Sequence, residues 1–234
     1  MFLWFLLFVS SLVNVCLGDT EIVNFAAHGS QHLSLPFTHK WPILRPGASE
    51  LRFNITSARS QSDITQEPCR NLENWSLDRP EACPHEIWAV LDLDQDQWKK
   101  FDKLTLRISW PAYHPTRFTM AIYDPPSLSK FSSEGSSTEH PTTRTKYART
   151  QLVHTGVLTP WKGSSENTSR YDVSFILVLE PLHFGVLPES VIPTVLAILA
   201  AIAIALPVAL RINKQLQKLA QEIRNESKIQ AKKN

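Results

Sequence analysis

The chain has 234 residues, and its 24 Lys and Arg residues nearly balance its 22 Asp and Glu residues, giving a formal net charge of +2. A balance this close to neutral lacks the strong positive charge typical of nucleic-acid-binding proteins, so we expect no nucleic-acid partner. Two uncharged hydrophobic blocks, one near each end of the chain, instead indicate a protein of the secretory pathway.

The first block runs from Phe2 to Val9 and is followed by small residues. Cys16 and Gly18 occupy the two positions that signal peptidase reads before a cut, so residues 1–18 are predicted to be a signal peptide cleaved after Gly18. No Lys or Arg precedes the block, which leaves an uncleaved anchor helix as the alternative. The block is shorter than the ~20 residues that a membrane span needs, and this favours cleavage.

The second block, residues 191–210, contains twenty residues without a charge. At 1.5 Å per residue it covers the ~30 Å hydrocarbon core of a bilayer, which predicts a transmembrane helix. A buried core helix is the alternative, but so small a chain offers no surroundings that would cover a helix apolar on all sides. We expect no GPI-anchor signal, because the apolar tail of such a signal would end the chain.

The distribution of charge predicts the orientation. Residues 211–234 carry seven basic and two acidic side chains, whereas residues 19–190 carry seventeen basic and twenty acidic ones. Because an excess of Lys and Arg stays on the cytosolic side, we expect a single-pass type I membrane protein. Its N-terminus would lie in the lumen, and residues 211–234 would form a basic cytosolic tail.

The lumenal segment alternates apolar and polar residues with a period of two, most clearly in residues 104–110 and 118–122. This period is typical of strands with one buried face. Residues 86–93 and 171–182 are more uniformly apolar, as in strands buried on both faces. Because prolines argue against long helices here, we predict a mainly β protein with one antiparallel β-sandwich of about seven strands in residues 19–186.

Two segments depart from this pattern. Residues 127–145 are rich in Ser, Thr and Glu, which predicts a mobile loop; a binding loop is the alternative for a connection of this length. Residues 187–190 form a very short linker to the span. We therefore expect the domain to lie close to membrane lipid and to the lumenal loops of a membrane partner.

Cleavage of the signal peptide would leave two cysteines, Cys69 and Cys83. In an oxidising compartment we expect them to form a disulfide, with two free buried thiols as the alternative. A closed loop of about 15 residues contributes ~3 kcal/mol in the chain-entropy model. No Cys-x-x-Cys motif is present, so nothing indicates an oxidoreductase.

Three sequons in the lumenal segment predict N-glycosylation, and their asparagines are Asn54, Asn74 and Asn167. A fourth sequon at Asn225 lies in the predicted cytosolic tail and should stay unmodified. Asn54 falls inside a predicted strand, so a glycan there requires its side chain to face water, opposite Phe53 and Ile55.

The most suggestive chemical pattern is the alternating carboxylates of Asp92, Asp94 and Asp96, which are the kind of group that holds a divalent cation. Gln97 and Lys103 stand where an EF-hand needs Gly and Glu, so an acidic strand end and turn is the favoured interpretation. The sequence has no Gly-rich phosphate loop and no nucleophile elbow. We therefore predict no catalytic residue, no cofactor site and no metal site.

Tryptophans in the lumenal segment admit two interpretations, a buried core or a face on which sugars stack, and the core is favoured. They are Trp41, Trp75, Trp88, Trp98, Trp110 and Trp161.

The tail has apolar residues at spacings of four, three and four, namely Ile212, Leu216, Leu219 and Ile223. This predicts a helix that continues out of the membrane with one apolar face. The basic residues beside it suit anionic lipid headgroups, and lying on the membrane or packing on a partner helix fits equally well. Lys232 and Lys233 are similar, in part, to dilysine retrieval signals of the endoplasmic reticulum.

Two stretches carry a family resemblance: residues 83–94, CPHEIWAVLDLD, and residues 101–111, FDKLTLRISWP. With the overall layout, they resemble fungal members of the family of the small accessory subunit of GPI mannosyltransferase II. The resemblance implies a separate, multi-spanning catalytic subunit as partner. That partner transfers the second mannose of the GPI precursor in the lumen of the endoplasmic reticulum. The resemblance implies no active site here, so we expect a non-catalytic subunit in that membrane.

Two further hypotheses stay open. The first is a lumenal binding module, such as a cargo receptor, chaperone or translocon-associated protein, because a β-sandwich on one span suits those functions equally well. The second is an enzyme that uses Asp92, Asp94 and Asp96 on a sugar or phosphate substrate.

Overall fold

Strands dominate the part of the chain that the computed structural model describes, which is residues 18–131, 142–156 and 171–233, with side chains as far as residue 225. In chain order the strands are β1 (Gly18–Ala26), β2 (Ser30–Gln31), β3 (Ile43–Leu44), β4 (Glu50–Thr56), β5 (Glu86–Leu91), β6 (Lys103–Pro111), β7 (Thr116–Tyr123), β8 (Thr142–Thr143), β9 (Lys146–His154), β10 (Asp172–His183) and β11 (Leu187–Pro188). The α-helices are α1 (Asp96–Lys99), α2 (Pro125–Leu128) and α3 (Ile192–Lys233). The chain divides into two units, one ending at Val186 and one beginning at Leu187.

The long strands form two sheets. Strand order is β1, β6, β10, β4 in the first sheet and β3, β5, β9, β7 in the second. The long strands all pair antiparallel, and only the two-residue strand β3 runs parallel to its neighbour β5 among these described sheet pairings. The predicted fold class is confirmed: the protein is mainly β, with an antiparallel sandwich and one long apolar C-terminal helix.

Strand β10 lies in the middle of the first sheet because its apolar residues meet apolar residues on both neighbours. Phe175 is opposite Phe53 of β4, and Leu177 is opposite Ile108 of β6. The prediction of burial on both faces for residues 171–182 is wrong, because buried residues alternate with exposed or half-buried ones along β10. One face of this sheet packs in the core, and the other stays partly open.

Aromatic side chains fill the space between the two sheets. The ring of Phe118 on β7 lies 4.5 Å from that of Trp110 on β6 and 5.0 Å from that of Phe175 on β10, measured between centroids. The ring of Trp88 on β5 lies on the opposite face of the second sheet from Phe118, and there it packs 5.1 Å from the ring of Trp41. Each such pair adds about 0.5–1.5 kcal/mol beyond the area that it buries.

Strand β9 was not predicted, although it lies between β5 and β7 and is buried along nearly its whole length. The sequence pattern misses it because its buried residues include polar ones, which are Lys146, Arg149, Thr150 and Gln151. Strand burial here depends on partners for those groups rather than on apolar alternation. Lys146, for example, forms an ion pair with Asp124.

The predicted mobile loop over 127–145 needs correction at both of its described ends. Helix α2 buries Leu128 completely, and Thr143 of β8 pairs with Ser30 of β2. Residues 132–141 lie outside the described residues, as do residues 1–17 of the predicted signal peptide.

Helix α3 is a single helix of 42 residues, which corresponds to a length of about 63 Å. It begins at Ile192, one residue into the predicted span, and continues through Pro207 into the tail. Among the described residues it is the one helix long and apolar enough to cross a membrane. The predicted tail helix is therefore an uninterrupted extension of the predicted span.

Candidate functional site

The acidic run after β5 is the first candidate site, and its central carboxylate is occupied by protein donors. Both Oδ atoms of Asp94 accept from the backbone N–H of Arg144, at 3.1 and 3.2 Å. The Thr143 hydroxyl donates to Asp94 Oδ2 at 2.5 Å. Because charge-assisted hydrogen bonds of this kind are strong, Asp94 holds the segment around β8 against the end of β5.

The side chain of Arg144 also holds this segment in place, by donating hydrogen bonds to backbone carbonyls of neighbouring elements. Its Nε donates to the carbonyl oxygen of Ala27 at 2.8 Å, and Nη1 donates to the carbonyl of Lys99 at 2.9 Å. Further donations go to the carbonyls of Trp98 and Phe101. One guanidinium thus satisfies the carbonyls at the end of β1 and in the turn before β6. We call Asp94 and Arg144 together the Arg144 clamp.

The two other carboxylates of the run serve local turns. Asp92 accepts from the Gln95 side chain at 2.7 Å, and Asp96 accepts from Lys99 Nζ at 2.9 Å. The hydrogen bond to Lys99 lowers the pKa of Asp96. The three carboxylates therefore face different partners, as expected for a strand end and turn, and the structure offers no support for a shared metal site.

A second cluster combines the Cys69–Cys83 disulfide with Glu86. The two Cα atoms lie 5.7 Å apart, and the sulfurs and the Glu86 carboxylate come within 4.8 Å of one another, a spacing that metal ligands also show. The sulfurs are bonded to each other, however, and Glu86 Oε1 accepts from Trp88 Nε1 at 3.0 Å. The disulfide expected from the sequence is present, and no thiolate is left for a metal.

Glu86 and Arg149 form a buried ion pair beside this disulfide. The Arg149 Nε and Nη2 atoms donate to Glu86 Oε2 at 2.8 and 2.5 Å, and both side chains are only 3% exposed. Arg149 also donates to the carbonyls of Thr65, Gln66 and Glu67. The pair therefore fastens the loop that carries Cys69 onto the second sheet, and its charges are used for structure.

The described tryptophans belong to the core. Trp41, Trp75 and Trp88 are at most 2% exposed, and Trp98 and Trp110 are at most 8% exposed. These five rings cannot form a sugar-stacking face, and Trp161 lies outside the described residues. The favoured interpretation as core residues is therefore correct for the five.

Two of the three predicted glycosylation sites lie in described residues, and both are exposed. Asn54 is exposed on β4 between buried Phe53 and half-buried Ile55, as the strand register requires. Asn74 is exposed at the end of a 3-10 turn, Leu72–Asn74. Asn167 lies outside the described residues.

The outer face of the first sheet carries an open groove of about 660 Å³. Its lining includes Arg52, Asn54, Ser109, Trp110, Ser174 and Ile176. The Ser174 hydroxyl donates to Asn54 Oδ1 at 3.1 Å, so the sequon asparagine is part of the groove wall. We call this surface the outer groove. It offers apolar and neutral polar groups together with the charged Arg52, a mixture that suits binding rather than bond-breaking chemistry.

No family model, no curated protein and no solved structure matches this chain.

Replacing Asp94 with Asn should destabilise the protein by about 1.5–3 kcal/mol, because the Arg144 clamp loses its charge-assisted hydrogen bonds. Asp96→Asn is the matched control, since Asp96 is exposed, and it should leave stability nearly unchanged. Thermal unfolding followed by tryptophan fluorescence measures both. If Ca²⁺ or Mn²⁺ raised the melting temperature of the unchanged protein but not of Asp94→Asn, the structural interpretation of this carboxylate would be wrong.

Arg149→Met should cost about 3–5 kcal/mol, because it leaves the Glu86 carboxylate buried without a counter-charge. Arg52→Met is the control: its ion pair with Glu50 is 78% exposed on the arginine side, and surface pairs contribute about 0–1 kcal/mol. Adding Glu86→Leu to Arg149→Met should recover part of the loss. Equal unfolding midpoints for the two single variants would contradict this account of the buried pair.

Proposed function

We propose that this chain is a non-catalytic, membrane-anchored subunit that supports a GPI mannosyltransferase in the endoplasmic reticulum. The catalytic partner would be a multi-spanning protein that adds the second mannose to the GPI precursor. The observation that carries the proposal is the use of the charged clusters: Asp94, Glu86, Arg144 and Arg149 all serve the fold. These charged side chains were the best candidates for catalysis, and all four are bonded to other parts of the fold. This favours a subunit that supports another protein over an enzyme.

The location of the family-like stretches adds to this argument. Residues 83–94 contain β5, the Glu86 carboxylate and Asp94, whereas residues 101–111 contain β6. β5 and β6 are interior strands of the second and first sheets. The resemblance therefore falls on residues that build the core and the Arg144 clamp. It supports a shared fold and brings no substrate-binding residue with it.

The proposed placement is type I, with the unit that ends at Val186, which we call the β-unit, in the lumen and the tail in the cytosol. A helix long enough to cross the bilayer, the charge difference between the two segments and the Cys69–Cys83 disulfide all support it. In this orientation membrane lipid surrounds residues 192–210. The exposed asparagines of the sequons then face the compartment in which glycans are added.

The outer groove favours one second candidate function, a lumenal binding module such as a cargo receptor, chaperone or translocon-associated protein. Its open shape and its lining, in which Arg52 is the charged side chain, suit an extended peptide or another protein. A glycan on Asn54 would stand in the groove wall and restrict that use. Purification in mild detergent separates the candidates: one multi-spanning transferase supports the subunit, and many secreted clients support the binding module.

Depletion of the protein should cause GPI precursors with a single mannose to accumulate, because the partner loses its support. Metabolic labelling with mannose and analysis of the glycolipids measures this. Re-expression of the Asp92→Asn, Asp96→Asn double variant should restore normal precursors completely. That control spares Asp94, whose loss weakens the fold. Normal precursor levels after depletion would contradict the proposal, and failure of the double variant would favour the enzyme hypothesis.

Glycosidase treatment should increase the gel mobility of the protein expressed in its own cells, since the β-unit faces the lumen. Where a sequon is glycosylated, replacing its asparagine with glutamine should remove one step of that shift. The variants are Asn54→Gln, Asn74→Gln and Asn167→Gln. Asn225→Gln should leave the pattern unchanged, because Asn225 would lie in the cytosol. A shift that depends on Asn225 would reverse the proposed orientation.

A further inference from the structure

Beyond the uncharged part of α3, four large apolar side chains remain exposed on one side of the helix. Their exposed fractions lie between 51% and 67%, and the residues are Ile212, Leu216, Leu219 and Ile223. Spacings of four, three and four residues are the repeat of a coiled coil, in which apolar residues alternate between the d and a positions of a heptad. This spacing assigns Ile212 to d and Leu216 to a.

The same heptad continues back into the uncharged part of the helix without a break. Its a and d positions there are Val195, Ile198, Ile202, Ala205 and Ala209. Pro207 falls at position f, on the opposite side, and so does not interrupt this face. We call the nine a and d residues from Val195 to Ile223 the heptad seam, which is about 42 Å long at 1.5 Å per residue.

Between residues 211 and 225, no charged residue occupies a position of the heptad seam. Arg211, Lys214, Lys218 and Arg224 occupy positions b, c and f, which lie about 110° or more from the middle of the apolar face at 100° per residue. A helix lying on a membrane instead needs its basic residues along the borders of the apolar face, where they reach the headgroups. Glu222 stands at one of those borders, which suits an anionic membrane surface poorly.

The positions beside the seam are compatible with a second copy of the same helix. In a parallel pair, a residue at position g faces the following position e of the other chain. Gln215 would face Ala220, and Val208 would face Asn213. No like charges meet at these described positions.

We propose that the heptad seam pairs with the seam of a second copy of this chain, in parallel and in register. Two copies enter the bilayer in the same direction and at the same depth, so their identical seams face each other without any register search. The short apolar repeat outside the membrane would be marginal alone. Its helix is continuous with the span, and anchoring of both copies in one membrane raises the effective concentration of each copy for the other.

This pairing goes beyond the proposed function, because it requires only that α3 spans the membrane. It leaves the other faces of the helix and the β-unit for a catalytic partner. The pairing would therefore persist if the mannosyltransferase assignment failed.

Cysteine crosslinking of the full chain in its native membranes tests the proposal. Single cysteines are placed at each position from 212 to 223, with Cys16 replaced by Ser and with Cys69 and Cys83 left in their disulfide. A short bismaleimide should give covalent homodimers with maxima at the four apolar positions, at least about fivefold above Lys214→Cys and Gln221→Cys, which lie at the outward position f. Tagged and untagged copies co-expressed in one cell identify the product as two copies of this chain.

Leu216→Glu combined with Leu219→Glu should abolish the crosslink at Ile212→Cys, because charges at a and d oppose pairing. Lys214→Glu combined with Lys218→Glu is the matched control, with the same number of new carboxylates at outward positions, and should retain the crosslink. Equal yields at all positions would overturn the proposal in favour of random collision or a helix lying on the membrane. Seam crosslinks to a different protein would overturn it in favour of a partner helix.

Discussion

The placement of the whole chain depends on the apolar surface of α3. Large side chains such as Leu196, Ile198 and Ile202 are more than half exposed, and none of the most hydrophobic window is buried inside the protein. Each such side chain that leaves water gains about 1.5–3 kcal/mol, so this helix has to find an apolar phase. A bilayer accepts it because a helix bonds its backbone groups internally, and the one interruption, at Pro207, is of a kind that membrane-spanning helices tolerate. The proposed compartment, glycosylation and pairing of the tail all depend on that one requirement.

In the β-unit, the charged side chains of these two clusters stabilise the fold by forming hydrogen bonds with otherwise unpaired backbone groups. Arg144 collects backbone carbonyls that have no strand partner, and Asp94 holds the backbone of Arg144 in place. Glu86 and Arg149 perform the same task for the loop that ends in the disulfide. Buried groups of this kind are costly when one partner is missing, so substitutions at either pair should destabilise the protein strongly.

The sequence predicts the parts of this fold that depend on local pattern. Neighbouring residues alone predict the alternation in β4, β6 and β7 and the apolar helix. The number of cysteines left after signal cleavage predicts the disulfide. The sequence pattern does not predict strand β9, because Arg149 is buried by pairing with Glu86, which is 63 residues away in the chain. The role of Asp94 is hidden for the same reason, since its partner Arg144 is 50 residues away. Long-range pairing of polar groups has no local signature.

Extraction of membranes with alkaline carbonate tests the central claim most directly, because it releases peripheral and lumenal proteins and leaves spanning proteins in the bilayer. The full chain should remain in the membrane pellet, whereas a chain ending at Pro188, before α3, should be released. Release of the full chain into the supernatant would show that the apolar surface of α3 is covered by protein, and the account of this chain as a membrane-anchored subunit would fail.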